Sequence, residues 1–234
     1  MANVLANNVQ FDVTSVGFRQ RLEEFSNRPL LIGSFSAASN VTGIVTDTHA
    51  ISTLLHEHSA LAFWDYAACG PYVDIDMNPR CVEHPLSYKD AVFLSPHKFV
   101  GGPGTPGVLL VRRELVTNTV PDSVGGGTVA YVNPTQHLYL TDPEHREEAG
   151  TPAIVESIRA GLVFDLKDAV GVDVIQAREE DFVRRAIDSV PSSASTLTSS
   201  AIPPPPSVLP PRADAIAAAR RAAAMACLLY TSDA

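Results

Sequence analysis

Short apolar runs, each bounded by polar or turn residues, recur through the first half of the chain. Runs of this length are typical of strands buried inside a sheet. They predict strands at residues 29–33, 60–64, 91–94 and 108–111. Helical spacing of apolar positions predicts helices at residues 18–25, 152–170 and 172–187. A further helix is predicted to begin at an N-cap, Thr46 or Asp47, and to end at about residue 58. The alternation predicts an α/β fold, a three-layer α/β/α arrangement around a mostly parallel sheet.

Two stretches lack this periodicity. Residues 69–89 contain Gly-Pro and Asn-Pro breaks, and residues 117–149, which include three successive glycines, are predicted to be mostly loop. Long loops of this kind are usually functional or contact a partner.

Composition changes near Ser189. The last 46 residues hold 7 of the 18 prolines and an alanine-rich stretch, so they bury too little apolar surface to offset the entropy of ordering. We therefore expect residues 1–188 to form one domain. We expect residues 189–234 to be a Pro/Ala/Ser-rich low-complexity tail, either disordered or the product of a misread gene model.

Charge and composition exclude several classes of protein. The net charge of −9 comes without a compensating basic cluster, which argues against nucleic-acid binding. No apolar run approaches the roughly 18 residues of a membrane span. Three widely spaced cysteines do not form a disulfide framework. We expect a cytoplasmic protein, with an organelle left open because the natural N-terminus is expected to lie upstream of Met1.

Two ionisable residues follow neighbouring predicted strands, Asp65 after residues 60–64 and Lys98 after residues 91–94. Ligands of open α/β sheets bind beyond the carboxyl ends of strands, so both side chains are expected to face one crevice. Ser95 and His97 share the turn of Lys98, and a glycine-rich loop with exposable backbone N–H groups follows. An amine for a Schiff base, donors for a phosphate and a carboxylate for a ring nitrogen are what pyridoxal 5'-phosphate (PLP) requires.

In this order along the chain, the motifs resemble the class V aminotransferase family of fold-type I PLP-dependent enzymes, which includes the cysteine desulfurases. The resemblance rests on Asp65, on Ser-Pro-His-Lys at 95–98 with its Gly-Gly-Pro-Gly, and on residues 39–43, 125–127 and 148–152. It implies that residues 1–188 are a fragment of the large domain of such an enzyme. The implied substrate is an amino acid or small amine, and the implied reaction is transamination, elimination or desulfurisation.

The resemblance also gives the candidate residues their roles. It implies that Lys98 forms the Schiff base and then moves protons on the substrate, with Asp65 bonded to the ring nitrogen. Burial of the Lys98 amine would make it a better nucleophile. By the same resemblance, Asn40 contacts the ring hydroxyl of the cofactor, while Ser95 and His97 bind its phosphate. The alternatives are a solvated Lys98, an Asp65 that caps nearby backbone, and an ordinary turn asparagine at Asn40.

A further implication concerns assembly. Thr151, at the predicted start of a helix, matches the family threonine that reaches the phosphate of the other subunit, which implies a homodimer with shared active sites. Residues 125–127 match the loop that lines the same interface. The alternative for Thr151 is a simple helix N-cap.

The chain also departs from the family. Ala68 stands where the desulfurases have a glutamine that bonds the cofactor, and neither Cys69 nor Cys81 occupies the place of their nucleophilic cysteine. The family's substrate-binding arginine and ring-stacking residue are expected to lie outside this chain. The alternative function is therefore a catalytically inactive, truncated pseudoenzyme or a dimer scaffold.

Three rival motifs are weaker. Ser95-x-x-Lys98 fits the pattern of serine acyl-enzymes, a third hypothesis, but no K-T-G or S-D-N follows. Residues 102–107 fit G-x-G-x-x-G but precede a strand, which argues against a dinucleotide site. His56 and His58 point to different helix faces, which argues against a metal site and favours a solvated helix end.

Overall fold

A computed structural model describes residues 3–5, 16–80 and 82–189, with the backbone alone at residues 3–5 and 16. The helices and strands are β1 (Asn3–Leu5), α1 (Val16–Glu24), β2 (Leu31–Ser36), α2 (Thr48–Glu57), β3 (Leu61–Asp65), β4 (Ala91–Leu94), β5 (Val108–Val111), β6 (Val129–Val132), β7 (His137–Tyr139), α3 (Pro143–Glu147), α4 (Ile154–Val170) and α5 (Val172–Ser189). Single turns of 3₁₀-helix lie at Pro96–Lys98 and Arg113–Leu115. No helix in these ranges combines the length and the apolarity that crossing a membrane requires.

One five-stranded sheet runs in the order β1-β2-β3-β4-β5. The first four strands are parallel, and β5 returns antiparallel to β4. The α/β class and the mostly parallel sheet are therefore confirmed. Strands β6 and β7 form a separate antiparallel hairpin.

One face of the sheet is covered by α1 and α2. Phe18 of α1 packs edge-on against Phe35 of β2, with ring centroids 5.6 Å apart. Trp64 of β3 is fully buried, and its indole N–H donates to the Ser52 hydroxyl of α2 at 2.9 Å. Helix α2 begins at the predicted cap, since an Asp47 carboxylate oxygen accepts from the Ala50 N–H at 3.0 Å. The apolar positions whose helical spacing predicts these two helices thus lie on their buried faces.

Several boundaries differ from the prediction. The prediction of mostly loop at residues 117–149 is confirmed, although three short elements that it did not anticipate, β6, β7 and α3, lie there. These elements are short and mostly exposed, so their sequences carry little apolar periodicity. Helix α4 begins at Ile154 rather than Pro152, and α5 runs to Ser189. The predicted tail beyond Ser189 lies outside the described residues.

The prediction of a solvated helix end at His56 is wrong. The His56 side chain is only 6% exposed, and its Nε2 lies 2.8 Å from the carboxylate of Asp90, which is 2% exposed. The same carboxylate accepts from the Ala62 N–H at 2.7 Å and contacts Arg112 at 3.4 Å. The other ring nitrogen of His56 lies 2.6 Å from the Leu86 carbonyl oxygen. The cluster ties α2 to the starts of β3 and β4 and to the end of β5.

Asp90→Ala should destabilise the protein by about 3 kcal/mol, because it leaves the Ala62 N–H and the buried Nε2 of His56 without their partner. Equilibrium unfolding in urea, followed by circular dichroism, measures the loss. Glu23→Ala, at an exposed position of α1, is the control and should change the stability by less than about 0.5 kcal/mol. A loss below about 1 kcal/mol for Asp90→Ala would show that the cluster contributes little.

Candidate active site

The carboxyl ends of β2, β3 and β4 meet at one edge of the sheet. In the register of these parallel strands, Ser36 lies beside Asp65, and Asp65 lies beside Phe93. The backbone continues this alignment, because the Ala37 N–H donates to the Asp65 carbonyl oxygen at 2.8 Å and the Tyr66 N–H donates to the Phe93 carbonyl oxygen at 2.9 Å. The loops after these strands therefore leave the sheet side by side.

Asp65 ends β3 with an exposed side chain. One carboxylate oxygen accepts from the Ala67 N–H at 2.7 Å, which fixes the orientation of the group. Within the described residues the other oxygen has no hydrogen-bond partner. Asp65 thus caps nearby backbone, which was the alternative role considered for it, but only with one carboxylate oxygen. The second oxygen is available to a ligand.

Lys98 follows β4 at the end of the 3₁₀ turn Pro96–Lys98, where its N–H donates to the Ser95 carbonyl oxygen at 2.9 Å. Its side chain and that of His97 are exposed, and Ser95 is half-buried. The buried amine considered in the sequence analysis is therefore not found. In the described part of the chain, none of these three side chains forms a hydrogen bond, so all three are available to a ligand.

Only three lysines occur in the sequence, and the structure describes all of them. The Lys89 amine donates to the Asp76 carbonyl oxygen at 2.7 Å. The Lys167 amine donates to the carbonyl oxygens of Gly70, at 2.9 Å, and Val73. Lys98 alone among them is exposed and without a partner in the described residues. The small number of lysines in the sequence also points to Lys98, a signal that the motifs alone do not give.

Asn40 lies in a turn at the carboxyl end of β2, at the same edge of the sheet as Asp65. The Ser39 hydroxyl accepts from the N–H groups of Val41 and Thr42, each at 3.2 Å, and Gly43 closes the turn with a φ of 73°. The Asn40 side chain is exposed. This arrangement is compatible with both the cofactor contact and the ordinary turn asparagine.

The glycine-rich loop after Lys98 is a tightly folded segment. The Gly102 N–H donates to the Phe99 carbonyl oxygen at 2.9 Å, and the Thr105 N–H donates to the Gly102 carbonyl oxygen at 3.0 Å. A Cβ at Gly102 would lie 1.9 Å from the Pro96 carbonyl oxygen, so only glycine fits there. The Thr105 hydroxyl is buried without a hydrogen-bond partner in the described residues.

Two segments that the sequence analysis assigned to one interface lie against each other. The Gly150 N–H donates to the Gly126 carbonyl oxygen at 2.8 Å, and a Cβ at Gly125 would lie 3.2 Å from the Ala149 side chain. Thr151 is exposed and is not the N-cap of α4, a position held by Ala153. No hydrogen bond within the described residues joins Thr151 to the turn of Lys98.

One face of α4 supports the site, a role that the sequence analysis missed. The Arg159 side chain donates to the Gly101 carbonyl oxygen at 3.2 Å, and Phe164 packs edge-on against Phe99 with ring centroids 5.3 Å apart. Lys167 lies on the same face. The sequence contains one signal for this role, because Lys167 lies on the apolar side of the predicted helix.

The donor set at this edge fits PLP in part. Lys98 offers a free amine, Asp65 one free carboxylate oxygen, and Ser95 and His97 offer donors for a phosphate. Ala68, which the resemblance places where the desulfurases have a glutamine, has no side chain that could form a hydrogen bond. Among the described residues no cluster of three metal-ligating side chains occurs.

Curated relatives resemble part of the chain. It is 29% identical over 181 residues to a probable cysteine desulfurase 2 from Mycobacterium leprae, covering 77% of this chain and 39% of that protein. It is 33% identical over 156 residues to a cysteine desulfurase from Dickeya dadantii, covering 65% of this chain and 35% of the relative. The chain thus spans about two fifths of the length of the first of these relatives.

Solved structures share the fold. A cysteine desulfurase from Thermococcus onnurineus superposes with a TM-score of 0.58 at 24% identity, covering 73% of this chain and 40% of that one. The cysteine desulfurase CsdA from Escherichia coli gives a TM-score of 0.59 at 23% identity, covering 74% and 42%. At these identities the structural likeness establishes the fold.

The family model described as aminotransferase class-V matches residues 18–208, which include Asp65, Lys98 and Thr151. The match covers well over half of the chain and runs from within α1 to beyond the end of α5. The chain therefore belongs to the class V aminotransferase family, whose members are PLP-dependent enzymes.

Proposed function

We propose that this chain is part of a PLP-dependent enzyme in which Lys98 forms the Schiff base with the cofactor. The observation that carries the proposal is the free amine of Lys98 at the carboxyl edge of the sheet, since the other two lysines donate to backbone carbonyl groups. The substrate is an amino acid or another small primary amine. The names of the relatives make cysteine the first substrate to test.

Each candidate residue has a proposed role in binding the cofactor or in moving the substrate proton. When bound, PLP withdraws electrons from the substrate carbon next to the amine. The free carboxylate oxygen of Asp65 accepts a hydrogen bond from the ring nitrogen, and Asn40 contacts the ring hydroxyl. Ser95 and His97 donate to the phosphate. The Lys98 amine, once released from the cofactor, accepts and returns the substrate proton.

The proposed enzyme is a homodimer in which Thr151 binds the phosphate in the partner's site. The distance along α4 supports this arrangement. Phe164, which contacts the residue after Lys98, lies ten residues beyond Ile154, and therefore about 15 Å along the helix axis. Exposed apolar side chains recur at every fourth position of α4, at Ile154, Ile158, Leu162 and Leu166, and offer a surface for association.

Desulfurisation through Cys69 is not part of the proposal. Cys69 is 5% exposed. Burial raises the pKa of its thiol to about 11, and the Asp65 carboxylate adds to that effect. The thiolate, which is the nucleophilic form, is therefore scarce near neutral pH and becomes abundant only as the pH approaches 11.

Incubation with PLP and reduction with borohydride should label the peptide that contains Lys98. Lys98→Ala should lower the amount of label at least tenfold, to about the background level. The reason is that the other two lysine amines donate to backbone carbonyl oxygens. Peptide mapping by mass spectrometry locates the modification. Lys89→Met is the matched control and should retain the label. Labelling at Lys89 or at the N-terminus instead of Lys98 would contradict the proposal. A protein that forms dimers but takes up no label would support the alternative function, a dimer scaffold without catalytic activity.

Thr151→Ala should weaken PLP binding about tenfold through loss of a hydrogen bond to a charged group. Coexpression of the Thr151→Ala and Lys98→Ala chains separates the two arrangements. If Thr151 acts across the dimer, each hybrid regains one intact site, and tight binding returns in the mixture. If it acts within its own chain, no site is intact and tight binding stays absent. Titration of PLP fluorescence measures the tight sites.

In the folded protein, Cys69 should react with iodoacetamide at pH 8 about 100-fold more slowly than in urea, because its raised pKa depletes the thiolate. The rate should rise as the pH approaches 11. Mass spectrometry of the Cys69 peptide gives the rate, with glutathione as the reference thiol. Equal rates in the native and unfolded protein would contradict the raised pKa and make Cys69 a candidate nucleophile.

A further inference from the structure

Helix α4 contacts both loops that carry the proposed catalytic residues. Near its carboxyl end, the Lys167 amine donates to the carbonyl oxygens of Gly70 and Val73, in the loop after Asp65. The same amine lies 5.8 Å from the centre of the Phe99 ring, in the loop of Lys98. The single charged group of Lys167 thus contacts both loops.

The contact with Gly70 continues to the Asp65 carboxylate. The Gly70 N–H donates to the Tyr66 carbonyl oxygen at 2.7 Å, which closes one turn directly after Asp65. Inside that turn, the Ala67 N–H donates to the Asp65 carboxylate at 2.7 Å. A movement of the Gly70 carbonyl therefore changes the direction in which the Asp65 carboxylate points.

On the other side, the contacts reach Lys98. Phe99 is 5% exposed and packs against Phe164, one turn before Lys167 on α4. A Cβ at Gly70 would lie 3.2 Å from the Phe99 ring, so the two loops touch at this point. The position of the Phe99 backbone sets that of its neighbour Lys98.

We propose that Lys167 is a positioning residue, which holds the loop after Asp65 against Phe99 and thereby fixes the carboxylate of Asp65 relative to the amine of Lys98. The proposal rests on the proposed function for the roles of Asp65 and Lys98. Lys167 itself contacts backbone carbonyl groups and the Phe99 ring, not the reacting atoms.

The electrostatics of Lys167 agree with this role. Burial lowers the pKa of the Lys167 amine, while the Asp74 carboxylate and the Cys69 thiol oppose that shift. The amine thus lies in a half-buried place with acidic groups from the same loop close by. Lys89 provides a natural comparison, because its amine donates to Asp76 farther along the same loop.

The first test needs no cofactor. In Lys167→Met, the buried amides of Gly70 and Gly102 should exchange with deuterium about tenfold faster than in the unmodified chain, because a hydrogen bond from a charged donor is lost. Lys89→Met is the matched control and should leave both amides unchanged. If Lys167→Met does not fold, the pair Lys167→Gln and Lys89→Gln gives the same comparison.

The second test uses the PLP-loaded protein. Borohydride labelling at Lys98 should persist in Lys167→Met, because the amine itself is untouched. The pH at which the absorbance of the bound cofactor changes should rise by about one unit, since a ring nitrogen held less firmly by Asp65 withdraws fewer electrons. Lys167→Arg, which keeps charged donors, should restore the pH profile, and Lys89→Met should not alter it.

The outcomes distinguish this proposal from the proposed function. Unchanged amide exchange and an unchanged pH profile in Lys167→Met would overturn the positioning role. Equal effects of Lys89→Met and Lys167→Met would also overturn it, since they would indicate a general loosening of the loop. Absence of label at Lys98 in the unmodified chain would instead overturn the proposed function, and with it the positioning role.

Discussion

The parallel pairing of β2, β3 and β4 is the constraint on which the candidate site depends. It places Ser36, Asp65 and Phe93 in one row, so the loops after the three strands begin at the same edge of the sheet. A slip of one residue would exchange the faces of β3, turning Trp64 away from the core. The fully buried Trp64 ring and its hydrogen bond to Ser52 oppose that slip. Core packing therefore sets the direction of the proposed chemistry.

The two edges of the sheet are built differently. At the amino ends of β3 and β4, the buried Asp90 carboxylate joins His56, Ala62 and Arg112 in one cluster. At the carboxyl ends, Asp65, His97 and Lys98 are exposed. Polar groups satisfied by each other stabilise the fold, and polar groups left free can bind a ligand. At the second edge, α4 contacts the loops through Arg159, Phe164 and Lys167.

Most of the sheet and of the candidate residues follow from the sequence, because both depend on local signals. Apolar runs locate β3, β4 and β5 within one residue, and the Asp47 cap locates the start of α2. The role of His56 does not follow, since its partner Asp90 is 34 residues away. The contact between Lys167 and Gly70 joins residues 97 positions apart and is likewise invisible to local patterns.

The small number of lysines agrees with the proposed Schiff base at Lys98. Lysine supplies three of the 17 basic residues, and arginine supplies the others. A guanidinium stays charged and does not form a Schiff base at neutral pH, whereas any exposed lysine amine is a competing nucleophile for an aldehyde. Lys89 and Lys167 donate to carbonyl groups, and Lys89 is buried while Lys167 is half-buried. In the proposed enzyme this arrangement would direct an aldehyde cofactor to one lysine, because the fold leaves only the Lys98 amine free within the described residues.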